Sequence, residues 1–275
     1  MMPYPLSVVK KLPVFCLFYL IVNTASAQVY NSSISAAAGG TGRAAVEAGD
    51  AAFLNPAALV HLKGHYLFSS FAKDEFAITL SDNSPDNFLP TALGYVKKKK
   101  ELSAGEFEFS DISLSLAEFA ADKWAMGLTA HYLEFKYPTI SYRQINGDLG
   151  LIYTPKPHIG WALVVYNIMG ENTEIPKDVR PKTTVAAGFN YIYKSMVRFR
   201  LDATSQSEFM AGLETYVNNF IVTRFGYAND TDDKRELITA GAGFKGPRFA
   251  LTYAYQGNTQ ISGDYRHSID LEIPF

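Results

Sequence analysis

One cysteine, Cys16, occurs in 275 residues. A single thiol allows no internal disulfide and no multi-cysteine metal site. Basic charge is not in surplus either: 25 Lys and Arg stand against 27 Asp and Glu. That balance offers no electrostatic footprint for nucleic acid, so no nucleic-acid partner is expected. No H-E-x-x-H, G-x-S-x-G, Walker A or EF-hand loop occurs, which removes the common hydrolase, nucleotide and calcium chemistries. The five histidines, His61, His65, His131, His158 and His267, are scattered, and His61 and His65 fall where one segment gives way to the next. No metal, no cofactor and no catalytic residue is expected. After residue 22, no apolar run reaches the roughly 20 residues that a spanning helix needs.

The chain begins with an export signal. Lys10 and Lys11 precede the apolar run Leu12 to Val22, and small residues follow at Ala25 and Ala27. This is the form of a signal peptide over residues 1–27, with cleavage after Ala27. Cys16 follows Pro-Val-Phe rather than a small-residue lipobox, and it departs with the leader. Loss of Lys10 and Lys11 leaves 23 basic against 27 acidic residues, a net charge of −4.

Aromatics make up 14% of the chain, yet mean hydropathy is only −0.03. Apolar and polar residues must therefore alternate, which is the period of strands. In Trp124 to Tyr132 one face carries Trp124, Met126, Leu128 and Tyr132, the other Ala125, Gly127, Thr129 and His131. The alternation predicts about fourteen strands, near 65–72, 75–81, 89–97, 108–119, 123–135, 142–154, 158–168, 182–193, 196–204, 207–217, 219–228, 235–245, 247–256 and 265–274. Many are near ten residues, enough to cross a bilayer when tilted. From the fourth strand on, short connections (120–122, 155–157, 194–195, 218, 246) alternate with longer ones (136–141, 169–181, 229–234, 257–264), with a medium one at 205–206. Outer-membrane barrels place short turns in the periplasm and longer loops outside. Residues 82–88 break this rule, and Lys97 to Lys100 are assigned to an external loop, read first as a solvated run that blunts self-association and second as a contact for lipopolysaccharide phosphates.

Charged residues share the small-residue face of the strands. A Lys or Arg facing mid-bilayer lipid costs about 2–4 kcal/mol, so Asp111, Asp148, Arg198, Arg200, Asp202, Glu214, Arg224, Asp270 and Glu272 are assigned to the lumen. Expected pairs are Glu214 with Arg224 and Asp202 with Arg200. The terminal Ile273-Pro274-Phe275 looks like the signal that barrel-assembly machinery reads.

The stretch Gly39 to Leu59 opens like a dinucleotide loop, but no strand precedes it and no crossover helix comes after it. Instead Gly40-x-Gly42-Arg43-Ala44, Asp50-Ala51 and Asn55-Pro56-Ala57-x-Leu59 resemble the N-terminal hatch of FadL-type outer-membrane transporters, a pattern shared with PorV-like barrels of the type IX secretion system. Residues 148–155 and the pairing of Ala211 to Glu214 with Arg224 to Tyr227 resemble barrel hairpins of that superfamily. The resemblance implies an all-β, transmembrane antiparallel barrel of 14 strands (63–275) with a small lumenal hatch (28–62), in the outer membrane. It implies uptake or binding of small hydrophobic molecules, with a docking barrel for secretion or envelope proteins as the alternative. Outer-membrane lipid, lipopolysaccharide, the assembly machinery and a hydrophobic solute are the expected partners. The large external loops of FadL transporters are not matched here: the longest, 169–181, is modest and polar. Gly39, Gly40 and Gly42 permit close backbone approach. Arg43 needs an anion in the lumen, and Asp111, Asp148, Asp270 and Glu272 are the candidates.

Overall fold

A computed structural model describes residues 30–102, 105–177, 179–232 and 234–275. The leader and its cleavage site lie outside the described residues. Fourteen strands succeed one another: β1 Gly64–Ala72, β2 Glu75–Asn83, β3 Thr91–Leu102, β4 Gly105–Ala121, β5 Trp124–Lys136, β6 Ser141–Lys156, β7 Ile159–Tyr166, β8 Thr184–Tyr193, β9 Val197–Thr204, β10 Glu208–Tyr216, β11 Ile221–Asp230, β12 Arg235–Lys245, β13 Ala250–Asn258 and β14 Tyr265–Pro274. Each pairs antiparallel with its sequence neighbours, and β1 pairs with β14, so the sheet closes into a barrel. The ladders shift register between Phe119 and Ala121 and between Tyr153 and Lys156, both at one end of the barrel.

The period of two sorts the side chains. Leu80, Leu93, Leu114, Leu128, Leu149, Leu163, Leu201, Phe225 and Ile269 are exposed on the outside, giving an apolar band of the kind that meets lipid. Aromatic pairs mark its lower edge: Trp124 stacks on Tyr153 at 4.4 Å and Trp161 lies 4.5 Å from Phe189. The inward positions are small or polar, among them Ala77, Thr79, Ala92, Ser113, Ser115, Ala125 and Thr129, all buried. Small inward residues leave volume for a second layer of chain.

Residues 30–62 fill that volume. Their short helices are α1 (Ser33–Ala37), α2 (Ala48–Ala51) and a 3-10 turn (Pro56–His61). Ser32 caps α1 by accepting from the Ser35 N–H, and Asn55 caps the 3-10 turn by accepting from the Ala57 N–H at 3.0 Å. Pro56 comes directly after Asn55 at the first position, where its missing N–H costs nothing. α1 packs on β11 to β14, α2 on β1 and β2, and the 3-10 turn on β4 to β6, so this hatch reaches across the lumen.

One connection differs from the sequence expectation, and the exception read near 82–88 is present. Lys97 to Lys100 belong to β3, which pairs with β4 as far as Leu102. The run hides a strand because here β3 to β6 rise beyond the apolar band, and polar residues suit both faces. Outside, Lys97 meets Glu108 at 2.9 Å, Lys99 meets Glu106 at 2.5 Å, and Glu134 binds Lys136 and Arg143 at 3.0 and 3.1 Å. Residues 84–90 form the long turn at the end that otherwise carries the short ones. At the opposite end the largest connection spans 167–183.

Candidate functional site

Three anchors fasten the hatch to the wall. The Asp270 carboxylate accepts from the Ser33 N–H (2.5 Å) and hydroxyl (2.6 Å). One oxygen of Asp202 accepts from the Gly42 N–H (2.8 Å), the Arg43 N–H (3.1 Å) and the Arg43 guanidinium (3.1 Å). Glu47 accepts from Arg198 (2.5 Å) and Arg200 (2.6 Å). Arg200 also reaches Glu214 at 3.2 Å, and Arg224 donates to Glu214 at 2.6 Å. Charge-assisted bonds of this kind are the strong ones, and buried they are costly to break.

The pair of Glu214 with Arg224 is formed as expected. The pair of Asp202 with Arg200 is not, and Arg43 takes none of its four expected partners. Register is the reason. Asp202 lies opposite Met210 and meets the Gly42–Arg43 backbone, whereas Arg200 lies opposite Gly212, one inward position from Glu214, and bonds Glu214 and Glu47. Above Arg43 the Tyr166 ring lies 5.6 Å away, and its hydroxyl donates to the Leu54 carbonyl at 2.6 Å.

The rest of the motif is structural. Asn55, fully buried, donates to the Arg43 carbonyl at 2.8 Å, so it ties the two halves of the hatch together. Pro56, Ala57 and Leu59 are buried in the core cluster below. Gly40 has φ +83° and Gly42 abuts Leu54. Asp50 accepts from the Ser32 N–H at 3.1 Å. Glu272 faces the lumen beside Ile34 and Glu47. Asp111 and Asp148 stand higher on the wall and flank His131, with Nδ1 to Asp111 at 3.0 Å and Nε2 to Asp148 at 3.1 Å. Glu47, Ser33 and His131 escaped the sequence reading. Glu47 had a usable signal, since it is the only glutamate between residues 28 and 62.

Two hatch carboxylates respond to their surroundings in opposite ways. Burial pushes up the Glu47 carboxyl, but Arg200 and Arg198 outweigh it and hold it below the usual range. Burial pushes Asp50 up to about 7, against the hydrogen bonds from Ser32. A carboxyl whose folded pKa is raised holds its proton more tightly in the folded state, so its contribution is present below about pH 4 and lost as pH rises toward 7. Amide protection over residues 30–43, corrected for the intrinsic pH dependence of exchange, is therefore expected to fall between about pH 4 and pH 7, and Asp50→Asn is expected to remove that fall. An unchanged pH response in the variant would count against this assignment.

Above the hatch lies a cavity of about 680 Å³. Its floor includes Tyr30, Gly40, Arg43 and Phe53. One side is apolar, from Val96, Phe107, Phe109, Leu133, Phe135 and Val179. The other is polar, with Glu75, Lys98, Asn229, Arg235, Gln256 and Arg266. Glu75 binds Arg266 at 3.1 Å and lies 3.9 Å from Lys98. The 167–183 connection closes over the apolar side, with Ile175 fully buried against Phe107, Leu133 and Phe135.

No family model and no curated protein matches the sequence. Solved structures do match in fold. The P. putida toluene transporter TodX aligns with a TM-score of 0.70 and 8% identity, over 91% of this chain and 99% of that one. The Ralstonia pickettii toluene transporter TbuX aligns at 0.66 and 13%, over 89% and 98%. A Pseudomonas aeruginosa FadL homologue aligns at 0.65 and 11%, over 91% and 100%. The chain thus has the FadL-type outer-membrane barrel fold. None of these neighbours supports the PorV-like side of the resemblance or a docking role.

Proposed function

We propose that the chain is a non-enzymatic outer-membrane channel that takes up small hydrophobic molecules, with residues 63–275 as the barrel and 28–62 as its plug. The observation that carries this reading is the cavity above the hatch. Its apolar side is built from aromatic residues on β4 and β5, and it lies at the end of the barrel that carries the long 167–183 connection. Pockets that take apolar solutes combine such a lining with a few fixed polar groups. The neighbours described as toluene transporters share the fold. The hatch motif residues Gly40, Gly42, Arg43, Asp50, Asn55, Pro56, Ala57 and Leu59 serve as its closure, and the lumen charges as its seat. Phe275 and the alternating final strand support recognition by assembly machinery, and the outer cations Lys97 and Lys99 face the level of lipopolysaccharide head groups.

The test is entry of toluene into lipid vesicles carrying the refolded mature chain. Entry is expected to exceed that of protein-free vesicles, and Phe135→Asp is expected to cut the protein-dependent part at least tenfold by placing a charge in the apolar wall. Equal entry with and without the protein would refute the reading.

A further inference from the structure

The apolar cup on the inner face of β4 to β6 is already occupied by the protein itself. Phe107, Leu133 and Phe135 are buried there, with Phe109, Tyr137 and Tyr142 around them. The rings meet in two groups: Phe109 to Phe135 is 5.2 Å, while Phe107 to Tyr137 is 4.9 Å and Tyr137 to Tyr142 is 6.2 Å. Into this set the 167–183 connection inserts Ile175, at 0% exposure, with the partly buried Val179 packed beside it. On either side of it, Glu174, Pro176 and Lys177 are exposed. A fully buried isoleucine flanked by exposed residues, seated in aromatics beside a cavity, is the geometry of a plug in a binding pocket.

The loop around Ile175 is built to hold its own shape. Arg180 donates from Nε to the Ile175 carbonyl at 2.9 Å, and from Nη2 to the same carbonyl at 2.7 Å and to the Thr173 carbonyl at 2.8 Å. These bonds lie within the loop, so they survive if it moves as a unit. A cluster of hydrogen bonds ties the start of the loop to the wall. Asn167 donates its N–H to Asp148, Met169 its N–H to Asn146, and the Gly170 carbonyl accepts from Gln144. Asn167 and Gly170 both have positive φ, 55° and 87°, and changes at such points re-aim a chain while the segment beyond them keeps its shape.

We propose that the cup is a binding subsite for compact apolar molecules, of single-ring size, and that residues 171–177 and 179–181 form a strap whose Ile175 holds the subsite until such a molecule displaces it. This rests on the transport reading above and adds its regulation. Strap and solute compete for the same aromatic surface, so the strap lowers apparent affinity by the fraction of time it is seated. The four-carbon side chain of Ile175 sets the size of the subsite, and the neighbouring cavity takes the solute onward once the strap has swung.

Iodobenzene tests this in two ways. Crystals of the mature barrel soaked over a concentration series are expected to show iodine beside Phe107 and Phe135, with Ile175 withdrawn. Ile175→Ser is expected to lower the half-occupancy concentration ~10-fold, the scale of one buried aliphatic side chain, while Ile175→Val leaves it near wild type. Independently, spin labels at Lys177→Cys and Ser141→Cys in lipid nanodiscs are expected to move apart when iodobenzene is added. These labels are unambiguous because Cys16 is the only native cysteine. The second measurement needs no change at Ile175, so it stands even if the serine variant fails to fold. Iodine confined to the 680 Å³ cavity with Ile175 in place, and an unchanged label distance, would overturn the strap but leave transport intact. No iodine in the barrel together with no protein-dependent entry of iodobenzene into vesicles would overturn both.

Discussion

Asp202→Ala frees the hatch, and trypsin reports it. Arg43 is the only Lys or Arg between residues 28 and 62, and it is buried, so the folded barrel is expected to resist cleavage there. The substitution removes the acceptor of three hatch donors at once. It also leaves the Arg43 guanidinium buried without its anion, a loss of about 3–5 kcal/mol for a broken buried pair. In a hatch of some thirty residues with short helices, polar anchors of this kind carry much of the hold against the entropy of release. Cleavage after Arg43 is expected within minutes, with a rise in ion conductance in planar bilayers, while the strands stay folded. Asp202→Asn keeps an acceptor without the charge and is expected to fall between. A variant that still protects Arg43 would show that the other two anchors suffice.

Gly226→Val is expected to have a comparable effect by steric means. Gly226 faces inward on β11, and the backbone of Ala38 and Gly39 lies where a β-carbon would stand. Thr239 pins that backbone from the next strand, donating to the Ala37 carbonyl at 2.9 Å and accepting from the Gly39 N–H at 3.0 Å. Overpacking a core costs about 1–3 kcal/mol when side chains can yield. Here the obstacle is the main chain of Ala38 and Gly39, so the hatch must shift as a body. Amide exchange over residues 33–43 is expected to rise at least tenfold, and Ala242→Val, on the outer face of β12, is expected to leave it unchanged. Equal exchange in both variants would remove the close approach as a cause.

The barrel was legible because its signal is repeated. Every strand alternates, and lipid excludes charge from one face, so Arg198, Arg200 and Asp202 could be assigned to the lumen one by one. The extension of β3 through Lys97 to Lys100 was not legible, because beyond the lipid the outer face no longer has to be apolar. Partners were the harder part. Which carboxylate meets Arg43 depends on the level at which the hatch sits against β9, a distance in space that no spacing in sequence encodes. Glu47 was missed for the same reason: its role appears only when the residue ahead of α2 meets Arg198 and Arg200 on β9. Ile175 sits in a polar segment with no periodic neighbours, so its burial came only from the fold.

The order in which this chain is made does not match the order in which its parts can be seated. The hatch is the first portion of the described chain, yet α1 rests on β11 to β14, the last strands to be synthesised. Its anchors at Asp202 and Asp270 lie about 160 and 237 residues downstream of their partners. Contacts so far apart in sequence form late, because the loop between them must close first. During assembly the hatch must therefore wait, unseated, while hairpins accumulate, and be enclosed as β14 reaches β1. A chain that stops short of β11 has no place to put α1. The N-terminal segment is thus a late arrival in folding, and its docking coincides with the step that turns an open sheet into a ring.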